Sequence, residues 1–150
     1  MAQYDVIIVG AGPTGLAAAI YTSREDLKTL VIDKGVVGGL IATTEIVDNY
    51  PGFPEGIGGL ELADHMHKQA ERFGAEVKTG IEVTGLQKDG DVIQLTTSAG
   101  ELSAQSVVIA TGSSYRKLEV PGEKELEGRG VHYCATCDGP LYRGKHVVAV

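Results

Sequence analysis

Positive charge, cysteine and long apolar runs are all scarce in this chain, and each shortage excludes a class of function. Lysine and arginine number 13 against 20 acidic residues, a formal net charge of −7 with no long run of either sign. Surfaces built for phosphate backbones or anionic bilayers are basic, so neither nucleic acid nor a membrane surface is an expected partner. No segment approaches the roughly 20 apolar residues of a membrane span. The apolar run near the N-terminus follows Asp5, has no basic flank and gives way to glycines, so it does not read as a signal peptide. Internal repeats and low-complexity tracts are absent as well. Cysteine occurs only as Cys134 and Cys137. With a cytosolic location expected, such a pair is more often catalytic than structural.

Glycine, by contrast, is abundant: 21 of 150 residues, about twice the usual share of roughly 7%. Part of the excess falls in Gly10-Ala11-Gly12-Pro13-Thr14-Gly15 and in Gly35-Val36-Val37-Gly38-Gly39, where backbone must approach something closely. The hydrophobic share of 43% is enough to supply the core of a compact domain. Tyr4 to Val9 reads as a strand buried on both faces, Leu16 to Tyr21 as a helix packed on it, and Thr29 to Ile32 as a second strand ending at Asp33. A long loop to about Gly59 follows, with turn chemistry at Asn49-Tyr50-Pro51-Gly52-Phe53-Pro54. Leu60 to Phe73 forms an amphipathic helix with Leu62, Met66, Ala70 and Phe73 on one stripe and Gly74 at its C-terminal cap.

From Val77 the pattern turns to strands. A short strand at Val77 precedes three strand-like runs between Ile81 and Ala104, divided by Asp89-Gly90 and Ala99-Gly100, which are hairpin signals. A further buried strand is expected over Ser106 to Ala110, and another over His146 to Val150, where a second βαβ unit would begin. The fold class is therefore α/β: a Rossmann-like dinucleotide domain with a β-meander insert over residues 1–113, and the start of a second such domain over residues 114–150. A chain that stops where a glycine turn should follow reads as a fragment of a longer one.

The first glycine cluster has a mechanical reading. Gly10 permits the tight turn out of the strand, Gly12 lets backbone approach a pyrophosphate, and Gly15 lets helix and strand pack closely. The helix N-terminus favours the phosphates' negative charge. Asp33, 18 positions beyond Gly15, stands where a carboxylate accepts from a ribose hydroxyl. A merely connecting glycine turn would leave both the spacing and Asp33 unexplained.

Cys134 and Cys137 carry the second chemistry. Their spacing can close a small disulfide ring and tune one thiol towards thiolate, aided by any helix N-terminus nearby. The competing reading is half of a zinc site completed by His132 or His146, but structural zinc prefers two Cys-x-x-Cys or Cys/His pairs. No metal is therefore expected. His65 and His67 read as solvated, Tyr50 and Phe53 as packing within the loop, and Glu123, Lys124, Glu125 and Glu127 as a solvated charged face.

Together, Val6 to Gly15, Gly38-Gly39-Leu40, Val47-Asp48-Asn49-Tyr50-Pro51-Gly52, Ala110-Thr111-Gly112 and Cys134-Ala135-Thr136-Cys137-Asp138-Gly139 closely resemble the low-molecular-weight, bacterial-type thioredoxin reductases over nearly the whole chain. The resemblance implies a two-dinucleotide-binding flavoprotein in which Gly10, Gly12, Pro13, Gly15, Asp33, Gly38, Gly39, Leu40, Val47, Asn49, Ala110, Thr111 and Gly112 line FAD. It implies electron flow from NADPH, bound beyond Val150, through FAD to a Cys134–Cys137 disulfide and on to thioredoxin or a thioredoxin-like protein. Asp138 becomes the proton donor and acceptor, Gly112-Ser113-Ser114 a hinge strand, and the full-length protein a homodimer. Asp48 and Leu40 depart from the residues frequent at those positions, Glu and Gln, and the Asp33 position varies in the family. Alternatives are a same-fold reductase using another donor such as ferredoxin, or a truncated product without turnover. The 150 residues alone are expected to bind FAD poorly and to be inactive.

Overall fold

The computed structural model describes residues 2–150, apart from the side chains of Thr136 and Cys137. It divides into two compact units, Met1–Gly112 and Ser113–Val150.

In the first unit, six strands among the described residues form one sheet in the order β3-β2-β1-β6-β5-β4. They are β1 (Tyr4–Val9), β2 (Thr29–Asp33), β3 (Glu76–Thr79), β4 (Val83–Asp89), β5 (Val92–Thr97) and β6 (Gly100–Ile109). Two helices, α1 (Pro13–Arg24) and α2 (Gly59–Arg72), complete the unit with a short 3₁₀ turn at Gly39–Thr43 that the sequence does not signal. Just past the end of α2, after Phe73, stands Gly74 (φ +97°), at the left-handed position that favours glycine.

The alternation of strand side chains explains the layers. Val6 and Ile8 of β1 and Val31 of β2 face α1 and α2, where Leu16, Ala19, Leu62, Met66 and Ala70 complete a buried cluster. Ile7, Leu30 and Ile32 point the other way and are covered by Leu95 and Ala104. A parallel sheet must be covered on both faces. Here helices cover one and residues of the β4–β5–β6 meander the other, which gives the insert a structural reason to exist.

Two expectations change. The third meander run and the Ser106–Ala110 strand are one element: β6 pairs antiparallel with β5 through Gly100 to Ala104 and parallel with β1 from Ala104 to Ile109. No turn residue separates the halves, so the chain has no reason to break. His146 to Val150 forms no strand. Val147, Val148 and Val150 are largely exposed, as an apolar run stays when no neighbouring strand takes up its backbone hydrogen bonds.

Among its described residues the second unit has two one-turn helices, α3 (Glu123–Leu126) and α4 (Ala135–Asp138), and a 3₁₀ turn at Gly139–Tyr142.

Candidate functional site: a glycine cleft and a disulfide segment

β1 lies between β2 and β6 and is parallel to both, so the strand order switches sides at its C-terminal end, the place where open α/β sheets hold ligands. A cleft of about 220 Å³ opens there, lined by Val9, Gly10, Ile32, Asp33, Ile81 and Thr111 among others. Gly10 sits at φ +114°, and a Cβ on it would run into the Ala110 carbonyl. The amide of Ala110 donates to the Val9 carbonyl at 2.8 Å, fixing that approach. At Gly15 a Cβ would collide with the Gly10 carbonyl oxygen. Both glycines are thus demanded by the protein's own packing.

Gly12 is different. Its φ of −77° suits any residue, and a Cβ there would find only the Gly38 carbonyl oxygen, at 4.0 Å. Nothing among the described residues requires glycine at this position, yet the space before the first turn of α1 is kept clear. No side chain caps α1, and Pro13, which has no N–H, holds its first position. An open helix N-terminus with a glycine-cleared approach fits a pyrophosphate, so the residues present fit a dinucleotide cofactor. The Gly38 amide donates to the Ala11 carbonyl at 2.8 Å, which brings the second glycine loop beside the first. Gly38 is itself at φ +101°, and a Cβ on it would press on Ala63 of α2 at 2.6 Å.

Asp33 has a task that the sequence did not disclose. Its Oδ2 accepts the Ala11 N–H at 2.7 Å and its Oδ1 the Gly35 N–H at 2.7 Å. The carboxylate ties the first glycine loop to the turn after β2. Each oxygen keeps a second lone pair with which to accept another donor.

Gly10, Gly12, Pro13, Gly15, Asp33, Gly38, Gly39, Ala110 and Thr111 therefore gather around one end of the sheet. Gly112 follows Thr111 at φ +69°. Leu40 is about half exposed on the 3₁₀ turn. Val47 does not face the cleft with its side chain: it is buried in the helix-side core and pairs with Ile57 by two backbone hydrogen bonds. Asn49 is exposed on the turn that follows. Tyr50 and Phe53 pack on the helix-side core with ring centroids 6.3 Å apart.

In the second unit, Cys134 is disulfide-bonded, and the side chain of Cys137 lies outside the described residues. The Asp138 N–H donates to the Cys134 carbonyl at 2.9 Å, so α4 folds directly onto the first cysteine. His132, weighed from sequence as a zinc ligand, has its Nε2 2.8 Å from the Tyr142 hydroxyl. Its Nδ1 is 3.5 Å from Oδ2 of Asp138.

Lys124, Glu125 and Glu127 are exposed as expected of a solvated face, but Glu123 is not. It is 7% exposed and accepts the Leu118 N–H at 3.0 Å, the Glu119 N–H at 2.6 Å and the Tyr133 hydroxyl at 2.7 Å. The Leu118 amide, the Tyr133 hydroxyl and the Glu119 amide all favour the charged carboxylate and hold its pKa below the ordinary glutamate value. The same bond to Glu123 favours the neutral phenol and raises the Tyr133 pKa. Tyr133 also stacks on Tyr115 with centroids 5.6 Å apart, and the Lys117 ammonium lies 3.7 Å from its ring centre. The residue immediately before Cys134 is clamped from three sides. No spacing in the sequence signals this clamp, because its parts come from a loop, a one-turn helix and a bend.

Residues 4–150 match the sequence profile of the pyridine nucleotide-disulphide oxidoreductase family. The chain is 50% identical over 148 residues to a thioredoxin reductase of Treponema pallidum, covering 99% of this chain and 48% of that protein. It is 51% identical to a thioredoxin reductase of Bacillus subtilis, covering 98% and 46%. Among solved structures, a thioredoxin reductase of Streptococcus pyogenes superimposes with a TM-score of 0.83 at 41% identity, over 93% of this chain and 45% of that one. The chain thus spans about half the length of the relatives it matches.

Proposed function

The chain belongs to the pyridine nucleotide-disulphide oxidoreductase family, and from that premise we propose that it carries the flavin side and the redox disulfide of a thioredoxin reductase. The pyrophosphate of FAD would lie on the α1 N-terminus beside Gly10, Gly12, Pro13 and Gly15, and a ribose beside Asp33. Gly38, Gly39, Leu40, Asn49 and the Ala110-Thr111-Gly112 turn would line the rest, with Val47 supporting that loop from the core. FAD supplies a two-electron carrier at that end of the sheet. NADPH is the proposed donor, held by sequence outside these 150 residues.

The chain's own chemistry is dithiol–disulfide exchange. A Cys134–Cys137 dithiol attacks a disulfide on a thioredoxin-like protein, that bond breaks, and the pair closes to a disulfide again while the partner leaves as a dithiol. Asp138, hydrogen-bonded through its backbone to Cys134, gives and takes the proton. Residues 1–113 would form the flavin part and 114–150 the start of the disulfide domain, with Gly112-Ser113-Ser114 as the hinge. The full-length protein would act as a homodimer in the cytosol. No helix among the described residues is long and apolar enough to cross a membrane.

The single observation that carries this reading is the disulfide at Cys134 on a chain that also carries the glycine-cleared cleft. Reduced chain mixed with an oxidised thioredoxin should convert it one for one to the dithiol, read by thiol labelling, and Cys134→Ser should abolish the transfer. Full transfer by Cys134→Ser would sink the proposal. We infer as well that these 150 residues alone hold FAD weakly and do not oxidise NADPH; a stoichiometric flavin absorption band in the purified chain would contradict this.

A further inference from the structure

We propose that His132, set between Tyr142 and Asp138, relays protons to the Asp138 carboxylate during thiol–disulfide exchange. The inference rests on the reductase reading above and adds to it the route by which the acid is recharged.

The three side chains come from consecutive elements that wrap the cysteine segment. His132 follows Val131, whose N–H donates to the Leu126 carbonyl at 3.0 Å and whose carbonyl accepts the Gly128 N–H at 3.0 Å. The imidazole is therefore delivered from an anchored backbone. Asp138 closes α4 and Tyr142 closes the following 3₁₀ turn. The Tyr142 ring meets the imidazole edge-on, with centroids 5.2 Å apart and planes 65° apart, which fixes the imidazole plane. The His132 and Asp138 side chains are 19% and 32% exposed, so the more sheltered imidazole stands behind an acid that also meets solvent.

The titratable groups placed against the imidazole are Asp138 on α4 and Tyr142 on the 3₁₀ turn. Cys134 lies two residues on and is in its disulfide. In the tautomer with its proton on Nδ1, Nε2 accepts from the Tyr142 hydroxyl and Nδ1–H faces the carboxylate. The 2.8 Å contact is a formed hydrogen bond. The 3.5 Å separation from Asp138 is longer than one, and a small side-chain rotation closes it, as resting acid–base pairs commonly require.

The steps balance. A thiolate, such as that of dithiothreitol, attacks the disulfide; a new S–S bond forms, and the departing cysteine sulfur takes the electron pair. Protonated Asp138 gives that sulfur its proton. His132 Nδ1–H then recharges Asp138 while Nε2 takes the Tyr142 proton, and Tyr142 regains one from solvent. The Nε2–H tautomer so formed returns to Nδ1–H by proton exchange with solvent. One solvent proton is consumed for each thiol released, and no electrons pass through the relay.

The test is the rate at which dithiothreitol reduces the disulfide of the 150-residue chain, followed by thiol labelling between about pH 6 and 8, a range in which imidazole chemistry operates. Tyr142→Phe keeps the ring contact and removes only the hydroxyl, and His132→Gln removes the proton carrier. Both should slow the reaction by about three- to tenfold, since Asp138 itself remains and a complete acid–base contribution is about a hundredfold or more. The deficit should grow as pH rises, because an Asp138 cut off from its relay depends on a falling supply of solvent protons. His132→Ala should recover with added imidazole, and His132→Gln should add nothing to Asp138→Asn. A loss that is equal at every pH and not rescued by imidazole would make His132 a structural residue and overturn the relay. So would wild-type rates in His132→Gln and Tyr142→Phe while Asp138→Asn is slow, with the reductase reading left standing. Wild-type rates in Asp138→Asn would instead remove Asp138 from the reductase reading itself.

Discussion

Replacing Gly15 with alanine sets two known effects against each other with opposite signs. Glycine inside a helix costs about 1 kcal/mol relative to alanine, so on propensity alone the variant should be more stable. Packing predicts the reverse. A Cβ at position 15 would overlap the Gly10 carbonyl oxygen and lie 3.0 Å from the Gly10 carbonyl carbon. Gly10 has little room to retreat, since the Ala110 carbonyl oxygen lies well inside contact distance of where a Cβ on Gly10 would stand and the Ala110 amide is held by the Val9 carbonyl. The overlap is backbone against backbone, so α1 must lift off β1 and open the cluster around Leu16 and Ala19. Overpacking of this kind costs about 3 kcal/mol, the upper end of the usual range. Subtracting the propensity gain leaves about 2 kcal/mol of destabilisation. For a unit of this size that is about 8 °C, at roughly 4 °C per kcal/mol. Thermal melts followed by far-UV circular dichroism measure it directly. A Gly15→Ala variant melting at or above wild type would refute the assignment of Gly15 to packing.

Gly12→Ala is the counterpart: its melting temperature should stay within about 2 °C of wild type, because a helix-boundary change outside the buried core with room for its Cβ costs little. The same variant should bind FAD measurably more weakly than the wild-type chain when titrated by flavin fluorescence, and a variant that binds equally well would show the cleared space to be idle. Glu123 gives the second unit a pH dependence of known sign. Its folded-state pKa is lowered, so its contribution is complete above the unfolded glutamate value of about 4.3 and is lost as pH falls through the lower, folded value. Acid titration of the tyrosine near-UV signal should show Tyr133 released from Tyr115 in this acid range, and Glu123→Gln should flatten the transition; an unchanged acid transition in that variant would contradict the clamp.

The sequence disclosed the parts whose physics is local. The β1 apolar run, the three glycines and the acid at the end of β2 announce a strand–turn–helix–strand because each residue type answers a demand of its own turn or packing. β6 was misread as two strands because its pattern changes midway: Glu101, Ser103 and Gln105 alternate with apolar residues, while Val107 to Ile109 are continuous. The change reports a new partner for the same strand, antiparallel beside β5 and parallel beside β1. Beside β1, Val107 and Val108 are only partly buried and Ile109 is 63% exposed, so the strand expected to be buried over Ser106 to Ala110 is not. Glu123 was misread because a carboxylate in a charged stretch is usually solvated, and only the fold reveals two loop amides and a phenol around it. Asp33 was assigned to a ligand, with no sign of its two backbone partners 22 and 2 residues away. Non-local hydrogen bonds leave no period in a sequence.

β6 has a consequence for how the first unit comes together. β1 is complete by residue 9, yet its second neighbour ends at Ile109. The innermost strand of the sheet therefore waits for about the last residue of the unit before its backbone hydrogen bonds are all made. Contacts so distant in sequence are slow to form, and until they do, one edge of β1 stays open to any passing strand. The meander lies between the two partners and can pair locally as soon as its hairpin turns are made. It then delivers β6 to β1 already held in register through Ala104, the residue that pairs on both sides. A one-residue slip at the Ala99-Gly100 turn would shift Ala110 and Thr111 by about 3.3 Å along the sheet and flip their side chains to the wrong face. The geometry of the cleft is thus set by a hairpin that never touches it.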